Sequence, residues 1–96
     1  MRPSEALNNH RADIVRIAAR HGGHRVRVFG SVLRGEDTED SDLDLLVDVA
    51  RDTSLLDLAK MQRAIQAVVG VRVEVLTPGD LPPKVRQQVL MQAQPV

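Results

Sequence analysis

Two short motifs carry most of the chemistry that this sequence could perform. Gly30-Ser31 is followed, after ten residues, by Asp42-Leu43-Asp44. A Gly-Ser turn after an apolar strand can approach phosphate closely, because glycine lacks a Cβ and the serine opens a helix. Aspartates two positions apart on a strand project from one face, where their carboxylates can share divalent cations. Together the motifs indicate a site for a nucleoside triphosphate and magnesium.

Each motif also has an ordinary structural explanation when it stands alone. A lone Gly30-Ser31 is a helix N-cap, and a lone Asp-x-Asp is a solvated strand face. Aspartate is disfavoured in strands, yet two of them adjoin the apolar run Leu45-Leu46-Val47. That unfavourable placement, together with the Gly-Ser turn, favours the functional interpretation: two metal ions that align the attacking and leaving oxygens of a nucleotidyl transfer.

Two further side chains are candidates for the same site. Glu74 lies on a later strand that could bring it beside the aspartates, as a ligand of the second metal or as a general base. Its alternative is a surface glutamate paired with Arg72, and the spacing does not separate the two. Arg34, one turn into the helix after Ser31, could neutralise triphosphate oxygens. Its alternative, slightly favoured, is a solvated arginine beside the acidic loop 36–40.

The remaining acids and histidines do not extend the predicted site. Asp48 is in phase with Asp42 and Asp44 but lies four residues further along, which is typical of a strand-end acid. The histidines at positions 10, 21 and 24 show no metal-ligand spacing, so we expect them on the surface.

The first half of the chain must position the Gly-Ser turn. Residues 3–20 are predicted to form one helix whose buried face carries Leu7, Ile14, Ile17 and Ala18. A short strand over 25–29 ends at Gly30, and one helical turn over 31–35 follows. The loop 36–41 is predicted to be polar and exposed.

The second half must position the acids. A strand is predicted over 42–49, and a capping box at Ser54 and Asp57 begins a helix that ends at Gly70. The expected buried stripe of that helix is Leu55, Leu58, Met61, Ile65 and Val68. A third strand over 71–76, a turn over 77–80 and a last helix from Pro82-Pro83 follow, with Val85, Val89 and Leu90 facing inward. The order predicts an α/β fold with a small mixed sheet flanked by helices, in a single domain over 1–96.

Composition restricts the class of partner. The 96 residues balance 13 basic against 13 acidic side chains and include one aromatic residue, so neither charge nor base stacking favours direct nucleic-acid binding. There is no cysteine, no apolar run of membrane-spanning length and no apolar leader, so we expect a cytoplasmic protein that does not bind membranes. A domain this small is marginally stable alone, which makes a homo- or hetero-oligomer plausible.

The chain resembles the minimal nucleotidyltransferases of the DNA polymerase β superfamily. The resemblance is carried by Phe29-Gly30-Ser31-Val32-Leu33-Arg34-Gly35-Glu36 and by Ser41-Asp42-Leu43-Asp44-Leu45-Leu46-Val47. Members of that family have Gly-Ser, ten residues and Asp-x-Asp, and the spacing here matches in full. The similarity extends over nearly the whole chain, to Val71-Arg72-Val73-Glu74-Val75-Leu76-Thr77-Pro78. It implies a polymerase-β-like nucleotidyltransferase core.

The resemblance also implies an activity and a role for each site residue. The activity is metal-dependent transfer of a nucleoside monophosphate, AMP from ATP, to an acceptor hydroxyl. Gly30 and Ser31 would hold the triphosphate, and Asp42 and Asp44 would bind both Mg²⁺ ions. The third family carboxylate maps to Glu74, where most members have aspartate, so metal geometry and the position of the base are altered at that residue.

Small stand-alone members of this family are often antitoxins encoded beside a HEPN-domain ribonuclease toxin. The resemblance therefore implies adenylylation of a tyrosine hydroxyl on such a toxin, whose own surface supplies the acceptor. Two alternatives stay open. One is an antitoxin that neutralises its toxin by contact alone, and the other is a small-molecule nucleotidyltransferase, which lacks a visible acceptor domain here.

Overall fold

The computed structural model describes all of residues 1–96 and is built on a four-stranded sheet in the order β3-β2-β1-β4. The strands are β1 (Gly23–Phe29), β2 (Leu43–Val49), β3 (Val73–Leu76) and β4 (Gln94–Pro95). The helices are α1 (Pro3–Asn9), α2 (Arg11–Arg20), α3 (Ser31–Arg34), α4 (Leu55–Val69) and α5 (Pro83–Gln92), and Pro78–Asp80 forms a 3-10 turn. β1 runs antiparallel to β2 and β4, whereas β2 runs parallel to β3. The predicted α/β class with a small mixed sheet is confirmed.

One face of the sheet packs against helices α1, α2 and α4. Alternate residues of β2 (Leu43, Leu45 and Val47) are fully inaccessible and join the main hydrophobic cluster with side chains from these three helices. Successive side chains of a strand point to opposite faces, so Asp44, Leu46 and Asp48 lie on the other side of the sheet. Burying each Leu or Val on the helical face stabilises the fold by about 1.5–3 kcal/mol. This packing holds β2 rigidly beneath its polar residues.

The N-terminal helix predicted over 3–20 is two helices instead of one. His10 leaves the helical conformation at φ −133° and ψ 23°, so α1 ends at Asn9 and α2 begins at Arg11. The weak helix formers Asn8 and Asn9 precede this break. The apolar pattern continues across it, because Leu7, Ile14, Ile17 and Ala18 are all buried as predicted.

Helix α4 begins as predicted but buries a different stripe. Its capping box is present, with Asp57 N–H donating to Ser54 Oγ at 3.1 Å and Ser54 N–H donating to Asp57 Oδ2 at 2.9 Å. Met61 and Ile65 are fully inaccessible, but Leu55 is 81% exposed and Val68 is 42% exposed. Val69 takes the buried position instead, four residues after Ile65, because the helix turns its stripe gradually around the axis.

The prediction of core residues from the sequence was most in error for helix α5. Val85, Val89 and Leu90 were expected to face inward, yet no residue of this helix is buried, and Val85 and Leu90 are 40% and 38% exposed. Arg86 ties the helix to the preceding turn, because its Nη2 donates to the Leu81 carbonyl oxygen at 2.9 Å. The short strand β4 was not predicted, and it adds Gln94 and Pro95 to the free edge of β1.

Strand boundaries differ from the prediction by two residues. β1 begins at Gly23 instead of residue 25, since a bulge between His24 and Arg27, with Arg25 at φ 51°, interrupts the alternation that marks a strand. β3 begins at Val73 instead of residue 71.

Among the helices, none combines the length and the apolar character required to cross a bilayer.

Candidate active site

Three strands bring side chains together in one row across the sheet. Asp44 on β2 lies opposite Phe29 on β1 and opposite Glu74 on β3. Directly paired residues of adjacent strands project from the same face, so Phe29, Asp44 and Glu74 share the face that lies away from the main core. The expectation that a neighbouring strand brings Glu74 beside the aspartates is met by this register.

Gly30 packs directly against this row. Its φ of 75° lies in the region that favours glycine, and a Cβ built there would overlap Asp44 Oδ2. A side chain at position 30 would therefore collide with the carboxylate. The backbone conformation, φ 75° and ψ −149°, is what requires glycine in this turn, and the close approach places the backbone of the Gly-Ser motif against Asp44.

Ser31 is the first residue of α3 and not its cap. Gly30 occupies the cap position, and no side chain caps this one-turn helix. The alternative explanation of Gly30-Ser31 as an N-cap serine therefore does not describe this turn. Ser31 is half-buried, and its carbonyl oxygen accepts from Glu36 N–H at 2.9 Å, which folds the chain back sharply after Arg34.

The acids of the row repel one another. Burial, then the Glu74 carboxylate, then the Asp42 carboxylate raise the pKa of Asp44 to about 6, and the Arg34 guanidinium opposes the shift. Like charges held close together in a partly desolvated place disfavour ionisation. At neutral pH the folded protein therefore carries unfavourable charge at Asp44 that a cation would relieve.

Asp42 is held in a different way. Its Oδ1 lies 3.0 Å from Arg72 Nε, yet the two are not aligned for a hydrogen bond, and this buried oxygen has no hydrogen-bond partner. Arg72 Nη2 donates instead to the Asp40 carbonyl oxygen at 2.8 Å. Arg72 thus contacts Asp42 and Asp40, and the alternative in which Arg72 pairs with Glu74 is not what the structure shows.

Arg34 lies at the edge of the same region. It is exposed, and its Nε is 3.4 Å from Glu36 Oε2 in the acidic loop. Its charge also reaches Asp44, whose pKa it lowers. Both interpretations of Arg34 are thus compatible with its place, since it contacts the loop and faces the acids.

The donor set fits a divalent cation in chemical type. Magnesium prefers carboxylate oxygens, and this edge offers the carboxylate of Asp42, whose Oδ1 lies beside Arg72 without a hydrogen bond, and the crowded carboxylate of Asp44 with Glu74 beside it. The three carboxylates do not close around a single point, because no group of three acidic or imidazole side chains is arranged to hold one ion. The site thus has the ligand types for a metal and an open arrangement of them.

Asp48 and the histidines lie outside the site, as expected. Asp48 Oδ1 accepts from Arg27 Nη2 at 2.7 Å, and Asp48 Oδ2 is 3.6 Å from Arg25 Nε. His10, at the junction of α1 and α2, has its Nδ1 3.1 Å from Asp13 Oδ2.

Sequence reasoning missed a residue that supports the site. Asp37 was placed in an exposed loop, but it is 8% exposed, and its Oδ2 accepts from Ser4 N–H at 2.9 Å. This backbone hydrogen bond holds the pKa of Asp37 below its ordinary range. The contact ties the loop between the Gly-Ser turn and β2 to the start of α1. Nothing in the local pattern distinguishes Asp37 from Asp40, so only the fold reveals it.

The fold and this acidic edge define the class of protein. A mixed sheet that places a Gly-Ser turn against an Asp-x-Asp strand is the arrangement of nucleotidyltransferases. The chain belongs to the nucleotidyltransferase domain family, whose model matches residues 12–96. The predicted enzyme class and the resemblance on which it rested are confirmed at this level.

Individual relatives agree with that assignment. The chain is 36% identical over 87 residues to a candidate protein adenylyltransferase, MJ0435, of Methanocaldococcus jannaschii, covering 91% of this chain and 94% of that protein. It is 38% identical over 71 residues to the protein adenylyltransferase MntA of Thermococcus cleftensis, covering 74% of this chain and 72% of that protein.

Solved structures share the fold. A candidate minimal nucleotidyltransferase superposes with a TM-score of 0.85 at 47% identity, over 97% of this chain and 95% of that one. A toxin–antitoxin structure with AMP-PNP superposes with a TM-score of 0.75 over 88% of this chain and 69% of that one. At 17% identity, that second likeness establishes the fold only.

Proposed function

We propose that this protein transfers AMP from ATP to a hydroxyl group of a partner protein and releases pyrophosphate. The acceptor oxygen forms a bond to the α-phosphorus, the bond from that phosphorus to the bridging oxygen breaks, and the hydroxyl proton goes to a base. The observation that carries the proposal is the close placement of Asp42, Asp44 and Glu74 beside the Gly30 turn, where burial and then the neighbouring carboxylates raise the pKa of Asp44 to about 6. Such crowding is typical of functional sites and destabilises a site that has no cation to bind.

The residues divide into a donor side and a metal side. Gly30 and Ser31 hold the triphosphate through the tight turn, and Arg34 neutralises its oxygens. Asp42, Asp44 and Glu74 would hold two Mg²⁺ ions, which would supply positive charge at the transferring phosphoryl group. Glu74 is exposed at the open side of the row, so it is also placed to accept the proton of an incoming hydroxyl.

The proposed acceptor is a tyrosine of a HEPN-type ribonuclease toxin, for which this protein acts as cytoplasmic antitoxin. Support comes from the relatives named protein adenylyltransferases and from the family resemblance. A phosphate-bearing adduct near a ribonuclease site would block substrate by charge and by bulk.

The proposal is tested by transfer of label. The protein is mixed with Mg²⁺, the product of the neighbouring gene and α-labelled ATP, CTP, GTP or UTP in parallel. We expect label from ATP on the partner, and none with Asp42→Asn combined with Asp44→Asn. Asp48→Asn is the matched control, since it removes a carboxylate from the same strand and face away from the site.

A second function remains in contention because of Glu74. The family position usually holds aspartate, and the three carboxylates here do not close around one ion. Both observations favour an antitoxin that neutralises its partner by contact alone. That alternative predicts full neutralisation by the Asp42→Asn, Asp44→Asn variant with no label transferred, whereas the enzymatic proposal predicts loss of both.

A further inference from the structure

A cleft of about 280 Å³ lies between the Gly30 turn and helix α5. One wall is formed by Phe29, Gly30 and Arg34, and the facing wall by Val85, Gln88 and Gln92. Two of the three α5 residues that were expected in the core, Val85 and Val89, are therefore cleft residues. This is why the helix keeps apolar side chains without burying any of them.

The cleft is continuous with the acidic row. Gly30 lines the cleft and also packs against the Asp44 carboxylate, and Phe29 lies opposite Asp44 in the β1–β2 ladder. A ligand whose phosphates meet the Gly30 turn thus has this cleft directly beside it. No other cavity of the molecule includes Gly30 or Arg34.

The chemistry of the walls suits a flat heteroaromatic ring. Phe29 is the one aromatic residue of the chain, and it lies here beside aliphatic side chains from both walls. No carboxylate lines the cleft, so an electron-rich ring meets no repulsive charge. The volume lies just below the range for small-molecule sites, which begins at about 300 Å³. It accommodates a base and excludes a folded protein segment.

Two amides provide the polar edge of this cleft. Gln88 and Gln92 are four residues apart on α5, so they lie on the same side of the helix. Each carboxamide presents a donor and an acceptor side by side, which matches the amino group and adjacent ring nitrogen of adenine. The neighbouring O6 and N7 of guanine are both acceptors, so the acceptor of a carboxamide has no partner on that edge.

We propose that this cleft binds the nucleobase of the donor nucleotide, with Gln88 and Gln92 selecting adenine and Phe29 packing against the ring. The proposal rests on the nucleotidyl transfer proposed above and assigns its base specificity. It gives α5 a binding role that neither the motif nor the family assignment supplies.

The test separates the base from the phosphates. Binding of ATP, GTP and inorganic tripolyphosphate, each with Mg²⁺, is measured by calorimetry, without any acceptor. For Gln88→Ala combined with Gln92→Ala we expect ATP to bind about tenfold more weakly, tripolyphosphate to bind as before, and the preference for ATP over GTP to shrink. Gln87→Ala is the matched control, an exposed glutamine of the same helix outside the cleft.

A second variant keeps the test decisive if the amides act only weakly. Val89→Trp fills the cleft from the α5 side, and we expect it to weaken ATP binding while tripolyphosphate binding is kept. Unchanged ATP binding in both variants would overturn the base site and leave nucleotidyl transfer standing. So would a wild-type protein that binds ATP no more tightly than tripolyphosphate. A wild-type protein that binds neither ligand would overturn the proposed function together with the base site.

Discussion

The two ends of β2 carry the same residue type on the same face and use it in opposite ways. At one end, Asp48 is paired with Arg27 and Arg25, and Arg27 has a side chain only 12% exposed. At the other end, Asp44 faces Glu74 and Asp42, which raise its pKa beyond the effect of burial. One acid is neutralised by cations of the protein itself, and the other is left among acids.

The difference separates structural from functional charge. A paired acid such as Asp48 stabilises the fold, because removing it would leave a partly buried guanidinium unpaired. A crowded acid such as Asp44 destabilises the folded protein at neutral pH and retains charge for a ligand. On the same strand, Asp48 near the C-terminal end therefore stabilises the fold, whereas Asp44 near the N-terminal end destabilises it.

The largest expected effect is the loss of AMP transfer when the acids at the N-terminal end of β2 are changed. Asp44→Asn should lower the rate of AMP transfer about a thousandfold, because the lost carboxylate would no longer hold the Mg²⁺ whose positive charge would stabilise the transferring phosphoryl group by several kcal/mol. Asp48→Asn should transfer at close to the wild-type rate at a temperature where it remains folded. Single-turnover measurements of AMP transfer on both variants check this difference. Equal losses of rate in Asp44→Asn and Asp48→Asn would contradict it.

A side chain at position 30 should damage the crowded end through the backbone. Gly30→Ala places a Cβ against Asp44 Oδ2 at φ 75°, so we expect a loss of about 2–4 kcal/mol in the free energy of unfolding. Urea unfolding measures it. Gly35→Ala is the control for a positive-φ glycine with no neighbour, because nothing lies within 4 Å of its Cβ. Its φ of 70° and ψ of 25° lie in the αL region, which is less strained for alanine than the φ of 75° and ψ of −149° of Gly30, so part of the larger loss expected at Gly30 comes from its backbone. A loss as large in Gly35→Ala would show that backbone strain, and not contact with Asp44, explains the effect.

The two aspartates should have opposite effects on stability at pH 7. Asp44→Asn should raise the free energy of unfolding by about 1–2 kcal/mol, after allowance for solvent screening of a half-exposed group. Asp48→Asn should lower it by about 1–3 kcal/mol, since Arg27 loses its partner. Chemical denaturation of the metal-free proteins compares them, and a change of the same sign in both variants would contradict the division of β2.

The stabilisation in Asp44→Asn should depend on pH. In the wild-type protein the pKa of Asp44 is about 6 when folded and has its ordinary value of 3.8 when unfolded. A raised carboxyl pKa makes the wild type lose stability as the pH rises through this window. The advantage of the variant should therefore be full above pH 6, shrink as the pH falls, and vanish below about pH 4. An advantage that persists at pH 3.5 would assign it to packing and not to charge.

The sequence predicted the chemistry-bearing row better than its surroundings. Motif spacing and strand alternation predicted that Gly30, Asp42 and Asp44 lie together, because each is a local signal on a strand or at its end. For Glu74 the spacing left two alternatives open, and it is the pairing of β2 with β3 that places it beside Asp44. Asp37 was missed because its partner, Ser4 N–H, is 33 residues away. Helix α5 was misassigned because apolar spacing shows which residues share a face but not whether that face meets a core or a cleft.

The most direct test of the central claim is the titration of Asp44 itself. NMR of the side-chain carboxyl carbons in protein labelled with ¹³C at aspartate follows the pKa of Asp44 with and without Mg²⁺. The Asp44 signal is assigned by its absence in Asp44→Asn. The account predicts a pKa of about 6 in the metal-free protein and a marked decrease when Mg²⁺ is added with nucleotide. An Asp44 that titrates near its ordinary value, unaffected by Mg²⁺ and nucleotide, would contradict it.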